Sequence, residues 1–439
     1  MNKNMIHSVL LTTALFFFYS CGTQVNQERT WSIYKADEKS SNYSPLNQIT
    51  TANVNQLQPA WTFTIHDKPA GSQPGRSECN PIIVDGVLYA TSANQWAYAL
   101  DATTGKQVWS FDPLDGKQGG EVNRGLTYWA NGDDKRILMS ANNFLFALNA
   151  KTGKLISTFG ENGKVDLKIG LRDADKDFYV SSTSPGIIYK NLIIMGCRVP
   201  DTYGAQPGFI RAYDCTTGKL VWTFHTVPYP GEPGYETWPP DAYKVVGGVN
   251  NWAGMSIDSK RGMVFLGLGS PSYDFYGKDR KGPNLYGNCV IALDAATGKH
   301  IWHFQTVHHD MWDYDLPAPP ALVTINKNGK KVDAVAQITK QGFVFVFNRE
   351  TGESLFPIEE RKVPASNLPD EEASPTQPFP LKPKPFARQS ITEADLTNYS
   401  PDDHDSLVKK FRSMRYEGLY TPPDLKGTLQ LPGTRGGGE

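Results

Sequence analysis

The chain of 439 residues is 39% hydrophobic and 20% charged, a composition typical of a globular protein with a large core. A net charge of −1 excludes the extended basic surface that nucleic-acid binding requires, so small molecules are the more suitable partners. The 40 glycines and 31 prolines favour many short strands joined by turns over long helices. Together these features predict an all-β fold.

The N-terminal residues have the pattern of a bacterial export signal. Residues 1–21 contain an apolar run from Val9 to Tyr19, which is too short to cross a bilayer comfortably. A small residue and Cys21 follow, which resembles a lipoprotein cleavage site, and residues 22–30 would then form a polar tether. An ordinary cleaved signal and an uncleaved anchor are the alternatives. We therefore predict a protein on the periplasmic side of a bacterial membrane, lipid-anchored at Cys21.

The other four cysteines carry no metal-binding or redox motif. None belongs to a C-x-x-C pair, which excludes a zinc ribbon, thioredoxin-like chemistry and a covalent c-type haem. Export permits disulfides, but the sequence does not pair these cysteines, and buried apolar thiols are the simpler alternative. The residues are Cys79, Cys197, Cys215 and Cys289.

One phrase recurs along the chain. Its first copy reads Asp101-Ala-Thr-Thr-Gly105-Lys-Gln-Val-Trp109, and related phrases begin at Asn149, Asp214, Asp294 and Asn348. Apolar, strand-like runs flank each copy, so the phrase is predicted to be a hairpin turn in which glycine supplies a positive φ and Asp or Asn closes the turn. The interval of roughly 50 to 80 residues suits four-stranded propeller blades of about 40 to 50 residues that carry loop insertions.

The repeats predict five full blades, ending near Ile358. The tryptophan that closes each unit is predicted to dock between neighbouring blades, and Trp61 would close a unit completed from the C-terminal end. Five blades would form an open arc with exposed sheet edges, which indicates that further blades are missing. We therefore expect an incomplete propeller, truncated at its C-terminus. The first unit reads as strands at Pro81–Asp85, Val87–Thr91, Trp96–Leu100 and Gln107–Phe111.

The composition changes over residues 359–418, approximately, which we predict to be an insertion. Pro364 to Pro385 reads as a proline-rich loop, and Thr392 to Met414 as one or two short helices that Thr392 opens. Strand character resumes from Tyr420 to Leu431. Residues 31–439 are thus predicted to be one incomplete propeller with an inserted segment.

The densest group of titratable side chains lies between Ile301 and Gly342. The run from His308 to Asp315 reads HHDMWDYD, which places three carboxylates and two histidines within a short stretch, and Lys340 follows. The spacing from Asp313 to Lys340 fits a loop followed by two strands, which would return the lysine to the same rim. Adjacent histidines point in different directions on a strand, so we expect them to support or pack rather than to chelate.

Longer strings resemble the PQQ-dependent dehydrogenases, in particular the membrane-type quinoprotein glucose dehydrogenase branch, and the resemblance runs from Trp31 to the last residue. It implies an eight-bladed β-propeller of four-stranded antiparallel blades, here incomplete with about five full blades. It also implies oxidation of alcohols or sugars in the periplasm with pyrroloquinoline quinone (PQQ). The strings are Tyr43–Ile49, Pro230–Trp238, Val307–Pro317 and Arg415–Pro423.

The resemblance also implies a set of cofactor-binding residues. PQQ is a flat ortho-quinone with three carboxylates, so its site needs cations, an aromatic floor and a metal ion. By resemblance, Arg124 pairs with a cofactor carboxylate, and Trp252 stacks beneath the ring. Glu78 and Thr183 would form hydrogen bonds to the cofactor, and Lys340 would bind its quinone oxygens.

The implied metal is Ca²⁺ or Mg²⁺, held by oxygen ligands. By resemblance, Asp313 is both a ligand and the catalytic base, and Asp201 is a second ligand. Ser270 occupies the third position, where many alcohol-oxidising relatives have asparagine, and its hydroxyl is a weaker ligand. The adjacent cysteines that cover the cofactor in several relatives are missing, because Gly119-Gly120-Glu121 stands there.

In the implied mechanism Asp313 accepts the proton of a substrate hydroxyl while the adjacent carbon passes hydride to the quinone, and Lys340 stabilises the developing charge. A respiratory quinone or another acceptor would take the electrons. The alternative is a non-enzymatic lipoprotein scaffold of the outer-membrane barrel assembly type, which has the same repeat phrase. The co-occurrence of Arg124, Trp252, Asp313 and Lys340 favours a dehydrogenase, without fixing which sugar or alcohol it oxidises.

Overall fold

The computed structural model describes residues 31–67, 75–119, 122–172 and 177–436. The predicted signal, the tether and Cys21 lie outside these residues. Four antiparallel sheets of four strands each follow one another along the chain, each a meander in sequence order. The strands are β1 (Ile82–Val84), β2 (Val87–Thr91), β3 (Ala97–Asp101), β4 (Gln107–Phe111), β5 (Thr127–Asn131), β6 (Asp134–Ala141), β7 (Phe144–Asn149), β8 (Lys164–Asp166), β9 (Ile187–Tyr189), β10 (Leu192–Met195), β11 (Ile210–Asp214), β12 (Leu220–Phe224), β13 (Met255–Asp258), β14 (Met263–Gly267), β15 (Cys289–Asp294) and β16 (His300–Gln305).

The fifth predicted blade forms a three-stranded sheet. An isolated bridge between Phe347 and Ser354 stands where its fourth strand would lie, and a separate two-stranded hairpin follows. The all-β architecture of four-stranded antiparallel sheets is therefore as predicted, with four such sheets in the part of the chain that is described. These later strands are β17 (Ala321–Lys327), β18 (Lys330–Ile338), β19 (Val344–Asn348), β20 (Ile358–Lys362) and β21 (Thr376–Pro380).

Helices are few and short. The helix α1 spans Ala242–Val245, and α2 spans Pro401–Ser413, beginning where the Ser400 hydroxyl accepts a hydrogen bond from the Asp403 N–H at 3.2 Å. None of the described helices is long and apolar enough to cross a membrane. Single 3₁₀ turns lie at Val54–Gln56, Tyr235–Thr237, Lys278–Arg280 and Glu393–Asp395.

Thr392 caps a 3₁₀ turn at Glu393–Asp395, and α2 follows after Ser400, so the prediction of one or two short helices opened by Thr392 is confirmed. Two other predictions for the C-terminal part were wrong. The proline-rich stretch contains β21, which pairs with β20 alone, an edge position that tolerates prolines because no second neighbour needs their missing N–H groups. Conversely, Tyr420–Leu431 forms no strand beyond a bridge at Thr428, because its prolines interrupt any hydrogen-bonded ladder.

The repeated phrase forms the predicted hairpin turn in all five copies. The side chain of Asp101 closes the first copy by accepting hydrogen bonds from the Thr104 N–H at 2.7 Å and the Thr104 hydroxyl at 2.8 Å. A positive φ is the conformation that glycine adopts without a steric penalty. The turn glycines have φ values of 70°, 69°, 74°, 71° and 72° at Gly105, Gly153, Gly218, Gly298 and Gly352.

Tryptophans dock between the blades, as predicted, at four of the junctions. Each indole N–H donates to a carbonyl in the next repeat turn, and each ring lies so close to the turn glycine that a Cβ atom there would overlap it. At the remaining junction Val165 of β8 packs on Gly218, so the prediction of a tryptophan in every unit was wrong there. The indole-to-carbonyl pairs are Trp61 with Ala102 (3.2 Å), Trp109 with Ala150 (2.9 Å), Trp222 with Ala295 (3.3 Å) and Trp302 with Arg349 (3.0 Å).

The N-terminal segment 31–40 joins the first strands of distant blades. Trp31 pairs with Ile83 of β1, the Glu38 carbonyl accepts from the Ile257 N–H at 2.8 Å, and the Lys39 carbonyl accepts from Leu322 at 3.1 Å. These contacts fix the sheets relative to one another, and the loops that precede their first strands meet. All four cysteines of the described residues are free thiols, three of them buried, as the apolar-thiol alternative predicted.

Candidate functional site

The loops that precede the first strands of neighbouring blades are hydrogen-bonded in series. The Asn80 N–H donates to the Arg124 carbonyl at 2.9 Å, and the Arg124 N–H donates to the Thr183 carbonyl at 2.8 Å. The hydroxyls of Thr183 and Ser184 then donate to the Trp252 carbonyl at 3.3 and 2.6 Å. These bonds connect the loops of four successive blades around one cluster of side chains, which we call the candidate site. It contains most of the side chains predicted to bind a cofactor.

One side of the candidate site is formed by Arg124, Glu78 and Trp252. The guanidinium of Arg124 lies 2.8 Å from the Glu78 carboxylate and 5.3 Å from the centre of the Trp252 ring. The two charged side chains are 13% and 27% exposed, so the pair is accessible at one edge. A planar guanidinium next to a flat indole suits a planar anionic ligand, for which Glu78 would have to share the arginine.

The other side is built around Lys340 and two aspartates. Its ammonium donates to Asp313 Oδ1 at 3.0 Å, to the Asp313 carbonyl at 2.9 Å and to Asp315 Oδ2 at 3.2 Å. Asp315 Oδ2 also accepts from Trp252 Nε1 at 3.0 Å, and its Oδ1 accepts from the Ser270 N–H at 2.6 Å. The structure therefore brings the predicted Asp313 and Lys340 together, and Asp315 connects them to the indole.

The two aspartates differ in charge preference. Burial raises the pKa of Asp313 to about 9, and the negative charge of Asp315 adds to this effect, which Lys340 only partly offsets. Burial would also raise the pKa of Asp315, but Lys340, the Ser270 amide and the Trp252 indole together hold it below its ordinary value. Burial opposes the charge on Lys340, yet the two carboxylates raise its pKa. In the cofactor-free site, Asp315 therefore carries the more stable negative charge.

Asp310 holds the backbone of the loop from His308 to Asp315, which we call the reactive loop. The Asp310 carboxylate accepts hydrogen bonds from the N–H groups of Trp312 and Tyr314, both at 2.8 Å, and from the Asn288 amide at 2.8 Å. The Ser270 hydroxyl also donates to it. Asp310 is 2% exposed and so fixes the turn from which Asp313 projects with a φ of 57°.

The two histidines support the loop, as expected. His308 contacts Gln305 at 2.7 Å and the exposed Glu360 at 3.1 Å. The side chain of His309 is 2% exposed and lies between the Gly282 carbonyl at 2.9 Å and Glu371 at 2.8 Å. Neither is part of a metal-binding group among the described residues. Glu371 belongs to the predicted insertion, which therefore buttresses the reactive loop.

Asp201 and Asp274 lie near the same aspartates at the outer edge of the site. Asp201 is exposed as a whole residue, but partial burial of its carboxylate raises its pKa, and the charge of Asp315 raises it further. For Asp274, burial raises the pKa to about 8, with further contributions from Asp201, Asp315 and Asp310. Neither Asp274 nor Asp315 was among the predicted site residues. Asp315 stands two positions after Asp313 in the run from His308 to Asp315, and this closeness in sequence was the signal that could have identified it.

The predicted ligands offer the right atoms for a hard cation but no closed cage. Carboxylate and hydroxyl oxygens suit Ca²⁺ or Mg²⁺, and Asp313, Asp201 and Ser270 supply them. The described residues contain no group of three or more His, Cys, Asp or Glu side chains placed to bind a metal. A cation at Ser270 would also compete with the hydrogen bond from its hydroxyl to Asp310.

Comparisons with known proteins agree with this arrangement. The chain is 35% identical over 431 residues to a quinoprotein glucose dehydrogenase of Escherichia coli, and 34% identical over 435 residues to a quinate/shikimate dehydrogenase (quinone) of Acinetobacter baylyi. Each match covers 93% of this chain and 53% of the relative, so the chain spans about half the length of the curated relatives it matches.

Solved structures of the same type also match. A quinohemoprotein alcohol dehydrogenase from Comamonas testosteroni superposes with a TM-score of 0.64 at 28% identity, covering 80% of this chain and 52% of that one. A europium-containing methanol dehydrogenase gives a TM-score of 0.61 at 26% identity, covering 75% and 58% of the two chains.

The consecutive four-stranded sheets, which resemble those of the solved quinohemoprotein structure, define a β-propeller protein in which polar side chains from several loops form one cluster. More specifically, the chain belongs to the family of PQQ-dependent dehydrogenases, since the family's β-propeller domain, described as glucose/ethanol/alcohol dehydrogenase, matches residues 31–439.

Proposed function

We propose that the protein is a PQQ-dependent dehydrogenase that oxidises a hydroxyl group of a sugar or alcohol. The observation that supports this most directly is the Lys340 ammonium, which lies 3.0 Å from Asp313 and 3.2 Å from Asp315, with Asp315 bonded in turn to Trp252. A proton acceptor, a fixed cation and a flat aromatic surface are thus parts of one connected cluster. A propeller that acts as a scaffold has no use for such a cluster, and the family match also favours the enzyme.

The side chains of the site fit PQQ in charge and shape. The Arg124 guanidinium would bind a cofactor carboxylate, the partly exposed Trp252 ring would support the flat ring system, and Glu78 and Thr183 would accept or donate hydrogen bonds at its edges. Lys340 would face the quinone oxygens. When bound, PQQ supplies the acceptor for the hydride that leaves the substrate carbon.

Asp313 is the proposed base. Its raised pKa of about 9 in the cofactor-free site would oppose that role, but a divalent cation next to the carboxylate would favour its ionised form. We assign Asp313, Asp201 and Ser270 as the oxygen ligands of Ca²⁺ or Mg²⁺, with the Ser270 hydroxyl turning away from Asp310. The ionised Asp313 would then take the hydroxyl proton of the substrate, while Lys340 stabilises negative charge that develops nearby.

The relatives suggest the wider setting. They include glucose, quinate/shikimate and glycerol dehydrogenases, so a polyhydroxylated substrate is proposed without a choice among them. The complete fold would be an eight-bladed propeller. We further propose that the protein acts on the periplasmic side of the membrane, anchored by a lipid at Cys21, and passes electrons to a quinone or another acceptor.

Reconstitution tests this proposal. The purified protein would be incubated with PQQ and Ca²⁺ or Mg²⁺, and sugars, polyols and alcohols would be screened for reduction of an artificial dye. We expect saturable PQQ binding, measured by quenching of tryptophan fluorescence, and dye reduction with at least one hydroxyl compound. Replacement of Arg124 by methionine should weaken PQQ binding, whereas Arg361→Met, on the exposed β20, should not. Absence of both PQQ binding and dye reduction would contradict the proposal.

A further inference from the structure

Asp315 accepts hydrogen bonds on both of its carboxylate oxygens. Oδ1 accepts from the Ser270 N–H at 2.6 Å, and Oδ2 accepts from Trp252 Nε1 at 3.0 Å and from Lys340 Nζ at 3.2 Å. The side chain is 16% exposed, so water competes little for these bonds. Donors from three separate loops therefore meet on one carboxylate.

We propose that Asp315 is a positioning residue, which sets the orientation of the Trp252 indole and the place of the Lys340 ammonium. This inference rests on the proposed function, because those two side chains are the proposed floor and cation of the PQQ site. Asp315 itself would touch neither the cofactor nor the substrate.

The indole needs such a restraint. The hydroxyls of Thr183 and Ser184 hold the Trp252 backbone through its carbonyl, but they leave the side-chain torsions free. The bond from Nε1 to Asp315 fixes the edge of the ring, and the Arg124 guanidinium lies 5.3 Å from the ring centre. Without the bond at Nε1, the ring could rotate about its side-chain torsions and no longer present one face.

The lysine benefits in a different way. Lys340 has a flexible four-carbon stem, and its ammonium would otherwise rest on Asp313 alone. With Asp315 as a second carboxylate partner, the ammonium stays in place when the hydrogen bonding of Asp313 changes. The two aspartates thus have different roles. Asp315 holds the Lys340 ammonium, and Asp313 remains available as the proton acceptor.

The same contacts make asparagine a sharp test. A carboxylate accepts on both oxygens, whereas an asparagine amide has one acceptor and one donor end. In either orientation of the amide, its NH₂ group would face N–H donors, from Ser270 on one side or from Trp252 and Lys340 on the other. Asp315→Asn should therefore release at least one of the three loops, although it preserves side-chain size.

A buried aspartate in the fourth sheet, outside the site, provides the matched control. Asp258, at the end of β13, is 8% exposed and pairs with Arg261 at 2.7 Å and with Arg349 at 3.0 Å. Asp258→Asn removes a charge whose side chain is even more buried, 7% exposed against 16% for Asp315, and that also has several hydrogen-bond partners. It should lower thermal stability without affecting the site.

The first measurement uses the cofactor-free protein, so that it does not depend on PQQ binding. Acrylamide quenching of fluorescence is recorded for each protein and for its Trp252→Phe counterpart, and the difference gives the signal of Trp252. Asp315→Asn should raise the Trp252 quenching constant at least twofold, while Asp258→Asn leaves it unchanged. If the two variants give equal constants, Asp315 has a merely structural role and the proposal is overturned.

The second measurement adds PQQ at saturating Ca²⁺. We expect Asp315→Asn to raise the Kd for PQQ at least tenfold and to alter the circular dichroism that the bound cofactor acquires, with Asp258→Asn unchanged in both. A variant that loses Ca²⁺ affinity while its Trp252 quenching and cofactor dichroism stay normal would make Asp315 a metal ligand and overturn the proposal.

Two further results separate the possible failures. If the wild-type protein binds no PQQ, the proposed function fails, while the quenching experiment still decides whether Asp315 positions Trp252. If Asp315→Asn does not fold, Asp315→Glu replaces it, since glutamate keeps two acceptor oxygens and shifts them by one methylene. This variant should give a quenching constant above that of the wild type, and an unchanged constant would contradict the proposal.

Discussion

The repeat turns, called the outer turns below, and the loops that carry the candidate site, called the axial loops, are held by different kinds of hydrogen bond. Local bonds hold the outer turns, and long-range bonds hold the axial loops. The turns at Gly105, Gly153, Gly218, Gly298 and Gly352 repeat one conformation, and their Asp or Asn side chains bond to residues two or three positions away. The axial loops share no motif, and several of their side chains bond to distant loops or to other blades. Asp315, for example, bonds to residues 25, 45 and 63 positions distant.

This difference indicates that the outer turns contribute mainly to the stability of the fold and the axial loops mainly to the proposed activity. At the turns, the Asp or Asn side chain bonds within its own turn, so a short stretch of sequence is enough to specify the turn conformation. In the axial loops, burial raises the pKa values of Asp313, Asp274 and Asp201, and neighbouring carboxylates raise them further, an arrangement that is typical of functional sites. Substitutions in the two regions should therefore affect different properties.

The largest effect on activity should come from Asp313→Asn. If Asp313 is the base, its loss should lower dye-reduction turnover by about 10²- to 10⁴-fold. The stability of the cofactor-free protein should not fall, because burial and Asp315 already disfavour the charge on Asp313. Turnover and urea unfolding would be measured on the same preparation.

The matched control is Asp294→Asn in an outer turn. Its side chain accepts hydrogen bonds from the Thr297 N–H at 2.8 Å and the Thr297 hydroxyl at 2.7 Å, which asparagine can also accept. Two other copies of the turn already have asparagine, at Asn149 and Asn348. Turnover should stay at the wild-type value, and equal losses in the two variants would remove Asp313 from the base role.

Glu371→Ala tests the link between the insertion and the reactive loop. It leaves His309 and the Gly277 N–H without their partner in a buried place, so we expect a loss of about 3–5 kcal/mol in the free energy of unfolding. Glu360→Ala removes the exposed partner of His308 and should cost about 0–1 kcal/mol. Urea unfolding at pH 7 compares the two.

The Glu371 effect should also depend on pH. Burial would raise the pKa of Glu371, but His309 and the Gly277 N–H hold it below its ordinary value of 4.5. The stabilisation is therefore complete above the ordinary value and is lost as the pH falls through the lowered one. The stability gap between wild type and Glu371→Ala should narrow below about pH 4.5. A gap that is the same at pH 7 and pH 3 would contradict this.

Gly298→Ala should lower the free energy of unfolding and leave the side chains of the candidate site in place. Gly298 has a φ of 71°, and a Cβ atom there would overlap the Trp222 ring, so we expect a loss of about 3 kcal/mol from strain and lost packing. Gly329→Ala has a similar φ of 79° but no heavy atom within 4 Å of the new Cβ, and should cost about 1–2 kcal/mol. Equal losses by urea unfolding would show that tryptophan docking does not need the glycine.

The contrast also explains how much the sequence could predict. The turns and the strands of the first blade were predicted to within about a residue, because alternation and turn chemistry are local signals. The Trp docking followed from the repeat, and failed only at Val165, where the repeat itself departs. Tyr420–Leu431 was misassigned because a short apolar run with prolines does not distinguish a strand from a packed loop.

At the site, the sequence identified residues but not their connections. The density of titratable side chains identified the segment with Asp313 and Lys340, and the resemblance to a family assigned roles to them and to Arg124 and Trp252. The structure brings these four residues to one place. The role of Asp315 as the shared acceptor could not be predicted, because its donors lie on three other loops whose spacing carries no period. Long-range contacts of this kind depend on the assembled blades rather than on any one segment.

Thiol reactivity compares the two regions with the smallest perturbation. Cys215 lies in an outer turn and is buried, and Cys79 lies beside Glu78 in an axial loop, half-buried, with its sulfur 3.1 Å from the Thr91 N–H. Burial raises the pKa of both thiols, so neither is an active nucleophile at pH 7.5.

With Cys21 replaced by serine, Ellman's reagent should label Cys79 slowly and leave Cys215 unlabelled until the protein unfolds. Added PQQ should slow the labelling of Cys79 further, because the ligand would cover the neighbouring Glu78, whereas faster labelling of Cys215 than of Cys79 would show that the turns, and not the axial loops, are the more open region.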